Sequence, residues 1–563
     1  MKMTMKYLSM ASLFIAGAMM FSCSNENDIP DTPLKPDTPS DNVVTLSTTI
    51  SFDGEGTTRA LTEGGVKTFA ADEQIAVVYQ KNDDSFAKAV ATLTASDISN
   101  SGKSATITVS LTNPKTDGTV KYIYPAAMAK DNGEENFDAL NSEQDGTFAK
   151  LASTFDYAKF EGTFDGTELP VGDLTNQLAL CKFTIKDGDG TDITSQLTKL
   201  TIKNGSDVYH VNTSSLSNIW VALKPITSGK IDIYAAKNTY LYRKTVSDKE
   251  LNRNTLTPIK VTAPLVPGAL SGLFSVNDNH DLVYFSQGNL QARWHNSTWA
   301  NWYFAAYQHD FIKNYQGNVS VGNPQDGDVI DLFGWSTNYG PNYYGINAST
   351  EQYYGNDDKY NENYVYQGKF YDWGDASIQN GGASGCLWRT PSKDDFNYIL
   401  NQRSASTISG KSNARFIMVH FPADIYGKIY NAGIVLFPDN FVLPTLEHTT
   451  IPYSAVNMQN TYNLSDIVEL NWDDWGKMEA AGAVYLPAAG DRIGTTVRLE
   501  DENYPIGGYW TSTTSSTSGF LNTCAVTLLL ERYYEKYQTI FNDPTGRHCG
   551  QSVRLVGPGA YNQ

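Results

Sequence analysis

A mainly β chain, with sandwich-like regions first and an α+β region last, is the architecture this sequence predicts. Three observations carry that expectation. Apolar and polar residues alternate in short runs through the first half, as in Val44, Leu46, Thr48, Ile50 and Phe52, and such period-two patterns mark half-buried strands. The composition is that of turn-rich β structure, with 34 Tyr, 24 Phe and 45 Gly among 563 residues. Tryptophan is concentrated in the second half: nine of the ten lie at Trp294, Trp299, Trp302, Trp335, Trp373, Trp388, Trp472, Trp475 and Trp510.

In chain order, residues 1–23 read as a lipoprotein signal. Lys2 and Lys6 precede an apolar stretch from Tyr7 to Phe21, too short to cross a bilayer of about 30 Å. Met20-Phe21-Ser22-Cys23 resembles a lipobox, which makes Cys23 the candidate lipidation site and places the chain at the cell outer membrane as a surface lipoprotein. The acidic tract from Ser24 to Asp28 resembles the surface-export signal of Bacteroides-group lipoproteins. Residues 24–42, with Pro30, Pro33, Pro36 and Pro39, read as an extended tether.

Strand patterns then recur from Val43 to Ala263, at Gln74 to Tyr79, Ile107 to Leu111, Cys181 to Ile185 and Lys230 to Ala235. A split near Leu169 to Thr175 divides this stretch into residues 43–172 and 173–263, with 264–267 as a linker. Beyond it, residues 268–557 combine short strands, long loops and two helices. Thr390 with Pro391 predicts the start of one helix, with Phe396, Ile399 and Leu400 on one face. Trp472, Trp475 and Met478 form the stripe of the other, which ends before Gly482.

Charge and motifs exclude several classes of function. A net charge of −19 without a basic cluster makes nucleic acid an improbable partner. The seven histidines, His210, His280, His295, His309, His420, His448 and His548, show no metal-ligand spacing, and no Walker loop or GxSxG motif is present. No catalytic residue, metal or cofactor is therefore assigned. Asp394-Asp395 and Asp473-Asp474 fit helix starts. Cys181 reads as a buried thiol on a strand face. Cys524 and Cys549 are a candidate disulfide in an oxidising compartment, and the oxygen-rich turn from Asn323 to Asp328 reads as a solvated loop. The aromatic stretches Trp294 to Tyr307 and Tyr339 to Tyr366 either stack a ligand or pack beneath loops.

Two family resemblances add to this reading. Thr57-Thr58-Arg59-Ala60, the run Thr68 to Val77, Tyr122-Ile123-Tyr124-Pro125-Ala126 and Gln177 to Phe183, in that order, resemble the fimbrillin family of Bacteroides-type pilins. That resemblance implies two tandem transthyretin-like β-sandwiches. It also implies assembly by strand donation, in which a trypsin-like protease removes the first strand and a neighbouring subunit refills the groove. Val43 to Phe52 is then the strand lost, and Arg59 is either the processing point or an ordinary loop arginine. The second half, through Asp331-Leu332-Phe333-Gly334-Trp335, Trp388-Arg389-Thr390, Gly482 to Gly490, Gly508 to Ser512 and Gly550 to Val556, resembles the domain family of the Fibrobacter succinogenes major paralogous proteins. That implies a C-type lectin-like fold and a role in adhesion. Together they suggest a fimbrial tip adhesin whose partners are pilin subunits and an extracellular glycan or protein. The rival expectation is a non-polymerising surface lipoprotein that binds glycans for nutrient capture.

Overall fold

The computed structural model describes residues 41–52, 68–253, 255–312, 318, 323–338, 344–346, 369–382, 388–422, 432–461, 466–493, 496–501, 504–515, 524–533 and 536–557. Cys23, nearly all of the tether, Arg59 and most of the Tyr339 to Tyr366 stretch lie outside these residues. The fold is mainly β.

Eight strands form the first sheet: β1 (Val43–Phe52), β2 (Gln74–Gln80), β3 (Phe86–Thr92), β4 (Ile98–Ser99), β5 (Ser104–Thr112), β6 (Thr119–Tyr124), β7 (Ala158–Thr163) and β8 (Gly172–Asn176). Their spatial order is β3-β2-β6-β7-β8-β1-β5-β4. Ile75, Val77 and Tyr79 of β2 share one core with Ile107, Val109 and Leu111 of β5, so the sheet folds over its own apolar face. β2 is buried on both faces. Ala76 and Val78 point the other way, into the next core.

That second core lies between two layers. One is the sheet of β9 (Ala179–Lys186), β12 (Ile219–Leu223) and β15 (Leu256–Thr262), in the order β12-β9-β15. The facing layer contains β10 (Lys199–Asn204), β11 (Asp207–Asn212), β13 (Ile231–Lys237) and β14 (Tyr240–Val246). Cys181 is buried here, and burial pushes its thiol up to about 12. The segment around the helices Asp138–Ser142 and Phe148–Thr154 sends Leu140 and Leu151 into this same core. Gln144 locks it there, donating to the Leu140 and Ala222 carbonyls at 2.8 and 2.9 Å and accepting from the Ala222 amide at 2.8 Å.

Residues 264–267, expected to be a linker, instead enter strand β16 (Leu265–Ser275). β16 pairs with β14 on one side and with β17 (Leu282–Ser286) on the other, so one seven-stranded sheet runs from the second sandwich into the Trp-rich half. Pro267 and Gly268 sit at a bulge. The register with β14 shifts between Leu265 and Leu270, Pro267 has no ladder partner there, and Gly268 takes φ +70° with the Asn380 carbonyl where a Cβ would lie.

Beyond β16, a hairpin of β18 (Leu290–His295) and β19 (Thr298–Phe304) joins the short β20 (Val329–Ile330). A second sheet comprises Val468–Glu469, Phe416–His420, Ala432–Leu436 and Val484–Pro487, and a third contains Gly507–Thr514, Cys524–Tyr533 and Lys536–Gly546. Both expected helices are present. Trp472–Ala480 is capped by Asn471, and Gly482 follows its end at φ +98°. The other begins two residues later than expected, at Lys393–Asn397 with Ser392 as its cap, and continues as a wider turn through Gln402. Thr390 does not cap it, because its amide and hydroxyl both donate to Asp372 at 2.9 and 2.8 Å.

Candidate functional site

β1 occupies an interior place in the first sheet. Its antiparallel register with β5 runs without a break from Val43 opposite Thr112 to Ser51 opposite Ser104. On its other side it pairs in parallel with β8 only at Ile50, Ser51 and Phe52. The alternation read from the sequence sets its faces. Ile50 is fully buried, Val44 and Leu46 are half-buried, and Phe52 stacks on Phe69 with ring centroids 4.2 Å apart. Thr48 is the polar member of the inner row, and its hydroxyl donates to the Pro170 carbonyl at 3.0 Å. On the outer face, Thr45 meets Ser110 and Ser47 meets Thr108, at 2.9 and 2.8 Å.

Without β1, the edge of β5 would be open along its length, and at the end near Ile50 to Phe52 it would face β8 across a slot about 10 Å wide, the width of one strand. The slot floor is apolar, with Leu111, Val109, Tyr122 and Leu174 in the same cluster. The chain leaves β1 at Phe52 and is next described at Thr68-Phe69, which pack on Phe52 and Tyr124. A cut at Arg59 would leave β1 bound to the domain only by the sheet.

In the Trp-rich half, most aromatic rings pack inward. Trp335, Trp373 and Trp510 are fully buried, and Trp299, Trp302 and Trp388 nearly so. The indole N–H groups of Trp335, Trp373 and Trp510 donate to the carbonyls of Thr511, Tyr344 and Phe333 at 2.9, 3.0 and 2.7 Å. Their rings are therefore committed to structure; Tyr307 and Trp472 remain exposed. Asp474 is buried and not merely a dipole partner: it accepts from the Glu447 and His448 amides at 2.9 and 2.8 Å. Burial works to raise its carboxyl, but the loop amides of residues 447–449 and the Thr449 hydroxyl outweigh it and hold the group well below the carboxylate range.

Asn323 to Asp328 forms a turn in which Asp328 accepts from the Gln325 amide at 2.9 Å and Asp326 meets His295 at 3.0 Å. Among the described residues no group of three His, Cys, Asp or Glu side chains is placed to hold a metal ion. The strand register sets Cys524 opposite Gly546, and the Cys549 amide donates to the Gly546 carbonyl at 3.0 Å, so the two cysteines belong to one end of the same hairpin.

One site lacked any signal in the sequence. Where the second sandwich meets the Trp-rich half, Lys199 donates to the carbonyls of Asp439 and Asn440 at 3.0 and 2.8 Å. Burial pulls this ammonium down to about 8, against the pull of Asp439. The Asp439 carboxylate in turn binds buried Arg403 at 2.8 Å and the Ser275 amide at 2.9 Å. His210, pushed down to about 4 by burial, lines the adjoining cleft with His280 and Tyr398. These partners are far apart in sequence and share no motif.

No protein-family model and no curated protein matches the sequence. Among solved structures, the chain is similar to a fimbrial assembly protein from Parabacteroides distasonis, at 9% identity and TM-score 0.24, covering 44% of this chain and 96% of that one. It is similar to a fimbrial protein from Bacteroides ovatus, at 11% identity and TM-score 0.20, covering 92% and 99%. A streptococcal ancillary pilin is also similar, at 9% identity and TM-score 0.16, covering 44% and 77%.

Proposed function

We propose that this chain is a surface-delivered pilus subunit that exchanges β1 for a strand of a neighbouring subunit and presents its Trp-rich half as an adhesin. The observation that carries the reading is the place of β1: an alternating strand, interior to the sheet, joined to the rest through residues 53–67 alone. Strand addition restores both hydrogen-bonding edges and refills alternate side-chain positions, so main-chain bonds give affinity and the apolar row fixes register. The resemblance of the first half to the fimbrillin family supports it. In this reading Cys23 carries the lipid that delivers the chain to the outer membrane, and Arg59 is the processing point that releases it.

The subunit is placed at the fibre tip. β15, the last strand of the second sandwich, is paired along its length with β9 and leads directly into β16, which is held between β14 and β17. A strand tied at both ends is not available for donation. The Trp-rich half then lies outermost, and its lectin-like resemblance makes an extracellular glycan or protein its partner. In the structure the Cys549 sulfur is a thiol, 3.7 Å from His548 Nε2; in this reading it pairs with Cys524 on oxidation, which would close the last hairpin. The complete β1–β5 register favours one rival, in which β1 stays in place and the lipidated chain captures glycans as a monomer.

N-terminal sequencing of assembled surface material tests the reading. The expected mature end is Ala60, with label against the Trp-rich half confined to fibre ends. A Cys23 end in polymerised material, or label along the shaft, overturns it. Thiol counts on the denatured material, rising by two per chain on reduction, are expected for the disulfide; equal counts rule it out.

A further inference from the structure

The β18–β19 hairpin has two faces of opposite character. Leu290, Ala292, Trp302 and Phe304 face the core. The other face presents Arg293 and His295 from β18 and Asn301 and Tyr303 from β19, with Arg293 opposite Asn301 and Gln291 buried behind them. A two-residue turn, Asn296-Ser297, joins the strands with both residues at positive φ, 51° and 63°, which suits the strand twist and fixes the pairing.

A wall stands along the β19 side. Asn380 accepts from the Phe304 amide at 2.8 Å and donates to its carbonyl at 2.9 Å, and Gln379 donates to the Asn301 side chain at 3.1 Å. Arg293, His295, Asn301, Tyr303, Gln379 and Asn380 line an open cleft of about 490 Å³.

Two features separate this face from an ordinary solvated sheet surface. The Arg293 guanidinium lies over the Tyr303 ring, 5.4 Å from its centre, which orders it along the hairpin face. Among the described residues no carboxylate forms an ion pair with it, although the chain carries 61 acidic against 42 basic residues; Asp326 pairs with His295. A guanidinium positioned before binding presents its planar fork to a carboxylate or sulfate at little further entropic cost. The Gln379–Asn301 bond leaves a carbonyl acceptor on Gln379 and an amide donor on Asn301, a pair suited to neighbouring hydroxyls. The volume suits a small ligand.

We propose that this cleft binds a saccharide bearing an anionic group, carboxylate or sulfate, with Arg293 taking the anion and Asn301 and Gln379 reading ring hydroxyls. The proposal deepens the adhesin reading by naming a ligand class, yet its test is independent of assembly, which N-terminal sequencing decides.

The full chain is titrated at low salt with methyl glucuronide, galactose 6-sulfate, methyl glucoside and inorganic sulfate, with binding followed by saturation-transfer NMR and calorimetry. Both anionic sugars are expected to bind at least about tenfold more tightly than the glucoside or sulfate alone. Arg293→Gln is expected to bring them down to the glucoside level with the thermal midpoint unchanged, since the side chain is exposed. Arg293→Lys, which keeps the charge and loses the fork, should fall between. Equal binding of charged and neutral sugars, no binding of either, sulfate binding as tightly as its sugar, or an unaffected Arg293→Gln each overturns the proposal.

Discussion

The sandwich half and the Trp-rich half satisfy their interiors by different means. In the first, long antiparallel ladders such as β1–β5, β2–β3 and β13–β14 pair the backbone with itself, and the cores are almost wholly apolar. In the second, strands are short and loops long, so many buried backbone groups lack a ladder. Charged side chains take its place. Arg403, Arg492, Arg547 and Arg554 are all buried, as are Asp331, Asp439 and Asp474. Arg403 donates to the Ile399 and Phe437 carbonyls, Arg492 to the Leu332 carbonyl, and Asp331 accepts from the Ile312 amide. Stability that a ladder spreads over many bonds is here concentrated in a few side chains, whose loss leaves buried groups unpaired.

The largest expected effect follows from that concentration. Arg403→Ala strips the partner from buried Asp439, which also anchors Ser275 and adjoins the carbonyls that receive Lys199. The expected cost is about 3–5 kcal/mol, the penalty for an uncompensated buried charge. Nine of ten tryptophans lie in this half, so fluorescence-detected denaturation should show its transition shifted far below that of the sandwiches. A loss under about 1 kcal/mol would mean that the loops carry their own hydrogen bonds after all.

A smaller effect is set by pH. Burial raises the Asp331 carboxyl to about 6, against the pull of its bonds to Asn318 and Ile312. A group whose folded pKa is raised contributes stability below its unfolded value, lost as pH climbs through the folded one. The Trp-rich half should therefore weaken as pH rises from about 4 through 6, by roughly 3 kcal/mol at most. Asp474 has the opposite sign: its lowered carboxyl contributes above the ordinary carboxylate range, and that contribution is lost progressively as pH falls below it. Asp331→Asn should flatten the slope between pH 4 and 7 and leave the acid limb intact; an unchanged slope would assign it to another group.

The two halves were also unequally legible. Period-two alternation placed β1 and its buried face, because a strand with one solvated side writes that pattern directly into the sequence. The Trp472 and Phe396 helices were visible for the same reason at helical period. What escaped were features set by distant partners. Thr390 looked like a cap until Asp372, 18 residues away, claimed it. Residues 264–267 read as a linker because the bulge that admits Pro267 is defined by the distant β14 and Asn380. Arg403 and Asp439, 36 residues apart, had no local signal at all. At β18–β19 the alternation marks a polar row behind Leu290 and Ala292, but Gln379 and Asn380, which complete the cleft, come from distant sequence and leave no local signal.

The smallest effect is the one that sharpens the contrast most. Leu46 on β1 is half-buried, whereas Thr48 and Ile50 further along the inner row are buried, so the row tightens toward the end where β8 also pairs. Leu46→Ala should cost about 1 kcal/mol or less globally. Locally it removes the side chain opposite Val109, in the part of β1 that has β5 alone for a neighbour. Amide exchange should therefore accelerate in β5 from Thr106 to Thr112 and leave the amides around Trp335 and Trp510 unchanged. That outcome would mean that β1 can open as a unit of its own, as exchange for another strand requires. Equal acceleration in both halves would mean that the sheet shared through β16 couples them, and that β1 leaves only when the whole chain unfolds.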